Sequence, residues 1–329
     1  MIVTTVSTAQ SLEIADLLEK VKDEVRRGLS TQPKTLSPWL FYDEEGSRLF
    51  ERITELDEYY VTRTERSILE EHADEIVRLA CRRERIRLVE LGAGSGAKTE
   101  LVMRAVLRRQ TSLEYLPSDV SRSALEDARV RLEEKIAHLR VEPRVENYTN
   151  GIAPLPDDGI RALVLWIGSS IGNFNPEDAH QVLARLRTRM QTGDALLLGA
   201  DHVKAEPLLL AAYNDAAGVT AAFNKNVLVR LNRELGANFD IDNFEHRGVW
   251  NTKKSRIEMH LVSRDAQVVE IPATGQTVFL APGESIHTEN SYKFTAARVA
   301  TMLRDAGFSM ERTWSDAQGW FGLHLAMVK

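Results

Sequence analysis

Val89-Glu90-Leu91-Gly92-Ala93-Gly94-Ser95-Gly96-Ala97-Lys98-Thr99 carries an apolar run into a glycine-rich turn that opens a helix-forming stretch. Glycines there let a backbone approach a ligand closely and supply conformations that a Cβ forbids. Gly92, Gly94 and Ala97 fit the loose dinucleotide pattern G-x-G-x-x-[G/A], which alone is a weak signal. Glu90 directly before the first glycine, the additional Gly96, and Asp119 at the end of the next apolar run strengthen it. A carboxylate at Asp119 can accept both hydroxyls of a ribose. A nicotinamide or flavin domain is the alternative, yet a dehydrogenase puts its ribose acid about 20 residues on. No histidine is placed for a hydride relay.

Other chemistries find little support. The eight histidines include His202, His246, His260, His287 and His324, which are scattered rather than set at metal-ligand spacing, so no metal is expected. The single cysteine, Cys81, lies in a charged run and reads as a bystander, with no intrachain disulfide and no thiolate metal site. Net charge is -6 with both signs interspersed, which lacks the basic stripe of a nucleic-acid binder. No apolar run approaches the roughly 18 to 20 residues of a membrane helix, and no basic-then-apolar leader opens the chain. A cytoplasmic monomer acting on a small molecule is expected.

The elements around the turn follow from periodicity. With 329 residues, 43% hydrophobic, there is room for a large α/β domain and a smaller companion. Leu12, Ile14, Leu17, Leu18, Val21 and Val25 recur at helical spacing. Pro33 and Pro38 exclude a long helix in the stretch that ends at Tyr60, but its aromatics, Trp39, Phe41, Tyr42, Phe50, Tyr59 and Tyr60, mark it as packed. From about Thr64 a helix, a strand at Ile86 to Leu91, a helix, a strand at Leu113 to Leu116 and a helix from Ser121 make βαβ grammar. Ala162 to Ile167, a helix near Pro176, and Ala195 to Leu198 continue it, and runs apolar at every position suit strands buried on both faces. The prediction is an α/β fold with a mainly parallel sheet.

Between about 203 and 293 the rhythm breaks into a helical stretch and then alternating runs, Ile257 to Val262 and Val268 to Leu280, which predict a β-meander or hairpin insertion. From Phe294 a helix and a last strand near Leu323 to Val328 return to the sheet. The expected division is 65–202 with 294–329 as one domain, and 1–64 with 203–293 as a second, discontinuous α+β domain.

The glycine turn resembles motif I of the class I S-adenosylmethionine-dependent methyltransferases, a Rossmann-like fold, with Asp119 at the position of their ribose acid. Several strings then resemble one family within it: Pro33-Lys34-Thr35-Leu36, Phe41-Tyr42-Asp43, Glu58-Tyr59-Tyr60, Thr62-Arg63-Thr64-Glu65, Gly168-Ser169-Ser170-Ile171-Gly172-Asn173, Tyr213 to Asn224, Arg256 to Met259, and Thr288 to Phe294. These are similar to the ergothioneine-pathway L-histidine Nα-methyltransferases over nearly the whole chain.

That resemblance implies an acceptor site in which Tyr59 faces the amine, Asn173 and Tyr213 hold the α-carboxylate, Glu289 and Ser291 read the imidazole, and Phe50, Gly168, Thr220 and Met259 shape the wall. It implies that Tyr42, Gly92, Gly94, Lys98, Asp119, Asn147 and Tyr148 hold S-adenosylmethionine. Taken singly, Asn173 reads as a turn residue, Tyr213 and Met259 as core, Glu289 as a solvated acid and Lys98 as a surface lysine. The joint match assigns them. Asn147-Tyr148 replaces an Asp-Phe pair, Val61 a proline, and Asn290 an apolar residue of the family pattern. The activity implied is three methyl transfers to L-histidine, giving N,N,N-trimethylhistidine (hercynine). Alternatives are an N-methyltransferase of tryptophan or another aromatic amino acid, and a non-catalytic sensor of S-adenosylmethionine or histidine.

Overall fold

A computed structural model describes residues 8–82 and 84–329. In chain order the elements are α1 (Thr8–Leu29), β1 (Lys34–Thr35), α2 (Glu44–Glu55), α3 (Tyr60–Cys81), β2 (Ile86–Leu91), α4 (Thr99–Leu107), β3 (Leu113–Asp119), α5 (Arg122–Lys135), β4 (Leu139–Val141) and β5 (Arg144–Val145). There follow β6 (Arg161–Trp166), α6 (Pro176–Arg187), β7 (Ala195–Asp201), α7 (Glu206–Tyr213), α8 (Val219–Leu235), β8 (Phe244–Asn251), β9 (Arg256–Ser263), β10 (Gln267–Ile271), β11 (Gln276–Leu280), β12 (Ser285–Tyr292), α9 (Ala296–Asp305), β13 (Ser309–Ser315) and β14 (Phe321–Met327).

Apolar side chains fill most of β6 and β7 and, apart from the buried Arg87 and Glu90, β2, and each strand divides them between two layers. Leu88, Leu163, Leu165 and Leu197 join Ile76, Val102 and Val106 of α3 and α4 on one face. Val89, Leu91, Val164, Trp166, Leu196 and Leu198 join Leu183, Val299 and Leu303 of α6 and α9 on the other. Strand side chains alternate faces with period two, so a continuous apolar run requires cover on both sides. The large sheet has the order β13-β14-β7-β6-β2-β3-β4, with β5 also beside β3. Its strands from β4 to β7 are parallel; β14 joins β7, and β13 joins β14, antiparallel. The mainly parallel α/β sheet is thus present, and β2 lies between β3 and β6, where the order reverses. Ligands collect outside the strand ends at such a switch point.

A second sheet has the order β1-β12-β9-β8. Its edge strand comes from the N-terminal segment: Lys34 and Thr35 run parallel to Ile286 and His287. Phe223, Val227 and Leu231 of α8 share an apolar cluster with Ile257, Met259 and Leu261 of β9. β10 and β11 form a separate hairpin.

Several expectations shift. Residues after Pro38 form α2, because both prolines lie before it and Asp43 caps it by accepting from the Gly46 amide at 2.7 Å. α3 starts at Tyr60, four residues ahead of the expected Thr64. β8 and β13 carry no apolar alternation; apart from Gly248, only Phe244 is buried in β8 and only Trp314 in β13, so periodicity does not reveal them. Val21 and Val25 are buried as the stripe on α1 requires, while the side chains of Leu12 and Ile14 lie outside the described residues. Among the described residues no helix is long and apolar enough to cross a membrane.

Candidate active site

All sixteen residues singled out above line one cavity of about 1800 Å³. At one end, β2 runs into the turn with Gly92 at φ +67°. That conformation suits glycine, and an added Cβ would sit 3.3 Å from the Tyr148 ring, so side-chain absence keeps the cleft open. Asp119, at the end of β3, accepts from the Gly94 amide at 3.0 Å and the Ser121 amide at 2.9 Å. Burial raises its pKa while these amides pull it down. Asn147 accepts from the Thr149 amide at 3.1 Å, and the Tyr148 hydroxyl donates to Ser170 at 3.4 Å.

Lys98 is ion-paired rather than merely solvated. Its ammonium meets Glu65, a wholly buried acid on α3 whose other oxygen accepts from the Gly168 amide at 2.7 Å. One acid therefore fixes the lysine that follows the glycine turn and the loop that follows β6. Sequence reading placed Glu65 in a family string and gave it no role.

At the other end, Glu289 and Ser291 are two apart on β12 and so share a strand face. Met259 on β9 stands opposite Glu289, next to a register shift between His287 and Glu289. Asn173 ends the short 3-10 turn after β6, Tyr213 ends α7, and Thr220 opens α8. The Tyr213 and Ser291 hydroxyls are 2.6 Å apart. Burial raises the Glu289 pKa to about 7, with the Lys293 charge and an Asn173 hydrogen bond acting against it.

An aromatic wall adjoins both ends. Phe50 meets Tyr59 edge-on at 6.3 Å and Tyr42 at 5.7 Å, and Phe223, absent from the sequence-derived set, lies 6.0 Å from Phe50 and also lines the cavity. Burial pushes the Tyr42 and Tyr59 phenols well above their usual range. The Tyr42 phenol also feels the charges of both Glu289 and Asp119.

Behind the Glu289 end of the cavity lies a polar cluster that sequence reading missed. Asp201 bonds Lys293 at 2.8 Å, Lys204 at 2.5 Å and the Tyr60 hydroxyl at 2.7 Å. Lysines just past strands read as surface residues; here Lys293 is buried and Lys204 half-buried, both turned onto Asp201 at the end of β7. His246 bonds the Tyr213 carbonyl at 2.8 Å, and burial lowers its pKa. Among the described residues no three of His, Cys, Asp and Glu converge to hold a metal.

A family model described as histidine-specific, S-adenosylmethionine-dependent methyltransferase matches residues 21–328. The chain belongs to that family. The methyltransferase is 41% identical to the histidine N-alpha-methyltransferase of Mycolicibacterium smegmatis, over 98% of this chain and 99% of that protein. It is 40% identical to that of Mycobacterium tuberculosis, over 93% and 94% respectively. Ergothioneine biosynthesis protein 1 of Schizosaccharomyces pombe is 26% identical over 93% of this chain and 40% of its own length. S-adenosylmethionine is the family's methyl donor, and a glycine turn with an acid at the next strand end suits a nucleoside with a free ribose.

Proposed function

We propose that this methyltransferase moves methyl groups from S-adenosylmethionine to the α-amine of L-histidine three times, giving hercynine as a step of ergothioneine biosynthesis. What carries this reading is the single cavity shared by the glycine turn, Asp119, Glu289 and Ser291. Tyr42, within electrostatic reach of both acids, links its two ends.

When bound, S-adenosylmethionine supplies an electrophilic methyl on a sulfonium. In each transfer the amine lone pair forms the new C–N bond, the C–S electron pair stays on sulfur, and one amine proton leaves. The chain's task is to position the amine and exclude water. Tyr42, Gly92, Gly94, Lys98, Asp119, Asn147 and Tyr148 hold the donor, with Asp119 accepting ribose hydroxyls. Asn173 and Tyr213 hold the acceptor's carboxylate, Glu289 and Ser291 hold its ring, and Phe50, Gly168, Thr220 and Met259 close the wall. Anchoring at both ends leaves room around nitrogen, and the third methyl removes its last lone pair. Tyr59 orients the amine rather than taking its proton, because burial disfavours the phenolate. The faces of Tyr59 and Phe50 favour the quaternary ammonium.

We assign residues 65–202 and 294–329 to donor binding, and 1–64 and 203–293 to acceptor binding, a division supported by the pairing of β1 with β12. We also place the protein in the cytoplasm as a monomer; its one cysteine asks for no oxidising compartment. Mass spectrometry of histidine after incubation with the donor tests the reading. Histidine should gain three methyl groups for three donors consumed. Methylated tryptophan with unchanged histidine would overturn the acceptor, and binding of both ligands without transfer would overturn the activity.

A further inference from the structure

Lys293 is 1% exposed, and its ammonium donates to Asp201 Oδ2 at 2.8 Å, Ser291 Oγ at 2.8 Å and Tyr213 Oη at 3.0 Å. An ammonium has three N–H donors and no acceptor. All three are therefore spent, and neither hydroxyl can turn its own proton inward onto Lys293. Tyr213 Oη and Ser291 Oγ are 2.6 Å apart, so one of them donates to the other. The pair is left with a single hydroxyl proton that can point into the cavity.

This count constrains the occupant, given the reading above in which Tyr213 meets the α-carboxylate and Ser291 meets the ring. A carboxylate only accepts, so it claims the Tyr213 proton. Ser291 must then donate to Tyr213, and toward the ring it can only accept. Glu289, as a carboxylate, also only accepts. A neutral imidazole offers one N–H and one bare nitrogen, whereas an imidazolium offers two N–H donors. We propose that the acceptor is bound with its ring as an imidazolium, one N–H on Glu289 and the other on Ser291, and that Lys293 is the positioning residue that enforces this by fixing both hydroxyls. A neutral ring would leave its bare nitrogen without a donor, or leave the carboxylate with Asn173 alone.

The surrounding charges agree. Burial lifts Glu289 to about 7, and a cation placed against it restores the carboxylate. Burial keeps the Tyr42, Tyr59 and Tyr213 phenols protonated. Burial favours the acid form of Asp201, but Lys293 and Lys204 outweigh it and hold the carboxylate ionised. His287, two residues before Glu289, is pushed down to about 4 by burial and stays neutral, and His260 is lowered likewise. Arg256 and Glu258 on β9 neutralise each other. None of these groups competes for the proton between ring and Glu289.

The test is nitrogen NMR of ring-labelled L-histidine bound to the full chain with S-adenosylhomocysteine, followed across pH. An imidazolium shows two similar ring nitrogens, and a neutral ring shows one protonated and one bare. The bound ring should remain an imidazolium to at least about one pH unit above the unperturbed transition near 6.5. A bare-nitrogen signal at about pH 7, against that same reference, would overturn the inference while leaving histidine as the acceptor. Failure of histidine to bind at all would overturn the acceptor reading together with it. In Lys293→Met neither hydroxyl has to accept from an ammonium, so the Tyr213–Ser291 bond can open and Ser291 can donate to a bare ring nitrogen; the bound ring should then titrate like free histidine. Its KM for histidine should rise about tenfold or more, with donor affinity within about twofold. An imidazolium that persists with unchanged KM in that variant would refute the role of Lys293; the wild-type spectrum decides the ring state whether or not the variant folds.

Discussion

Glu65 holds Lys98 through one carboxylate oxygen and the Gly168 amide, at 2.7 Å, through the other, with no exposure of its own. A helix from the N-terminal part of the chain thereby locks the glycine-turn end of the cavity to the loop after β6. Even Gly199 answers to this acid: an added Cβ would lie 2.4 Å from Glu65 Oε1.

Glu65→Ala should destabilise the protein by about 2 to 4 kcal/mol, since it strands the half-buried Gly168 amide and unpairs a lysine. Glu65→Gln, which can still accept from Gly168, should lose less than half of that. Urea unfolding of both variants checks the order; equal losses would show that the amide bond is unimportant.

Glu289→Ala should weaken histidine binding by about 1.5 to 3 kcal/mol, roughly tenfold to more than a hundredfold, while leaving donor binding nearly unchanged. Asp119→Ala should do the reverse. Calorimetric titration of each variant with each ligand checks this, and parallel losses for both ligands would undo the assignment of the two ends.

Tyr59→Phe should lower kcat about tenfold or less, without shifting the pH profile. A true general base is worth about 10²- to 10⁴-fold, and a phenol held above its usual range by burial is not one. Loss of the rising, acidic-side limb of the pH–kcat curve in the variant would contradict this.

Glu90 is buried on β2, where it accepts from the Thr99 hydroxyl at 2.7 and 2.8 Å and pairs with the Tyr115 hydroxyl. Burial nevertheless raises its pKa to about 7, from the usual glutamate value of 4.5. The folded state holds this proton where the unfolded chain has released it, so stability falls as pH rises between these two values. Glu90→Gln should therefore gain stability relative to the wild type as pH rises through that window, by up to about 3 kcal/mol above it. Thermal melts at both ends of the range check the sign; a constant difference would contradict it.

The parallel core was legible because a sheet covered on both faces writes itself as uninterrupted apolar runs, as in Ala162 to Trp166 and Ala195 to Leu198. The glycine turn and Asp119 were legible because close backbone approach requires glycine and a ribose requires an acid. β13 was not, because only Trp314 along it is buried. Tyr59 just before α3, Tyr213 on α7 and the Glu289–Ser291 pair on β12 lie far apart in sequence, and nothing local distinguishes them from core or surface residues; family resemblance alone grouped them. Lys293 and Glu65 stayed hidden because their partners, Asp201, Tyr213, Lys98 and Gly168, come from distant segments.

The most direct test is a crystal structure of the protein with S-adenosylhomocysteine and L-histidine together. The expected result has the α-nitrogen facing the sulfur from the side the methyl would occupy, with the ring hydrogen-bonded to Glu289 and Ser291. A ring bound away from those two side chains, or an amine turned from the sulfur, would contradict the proposed reaction at its centre.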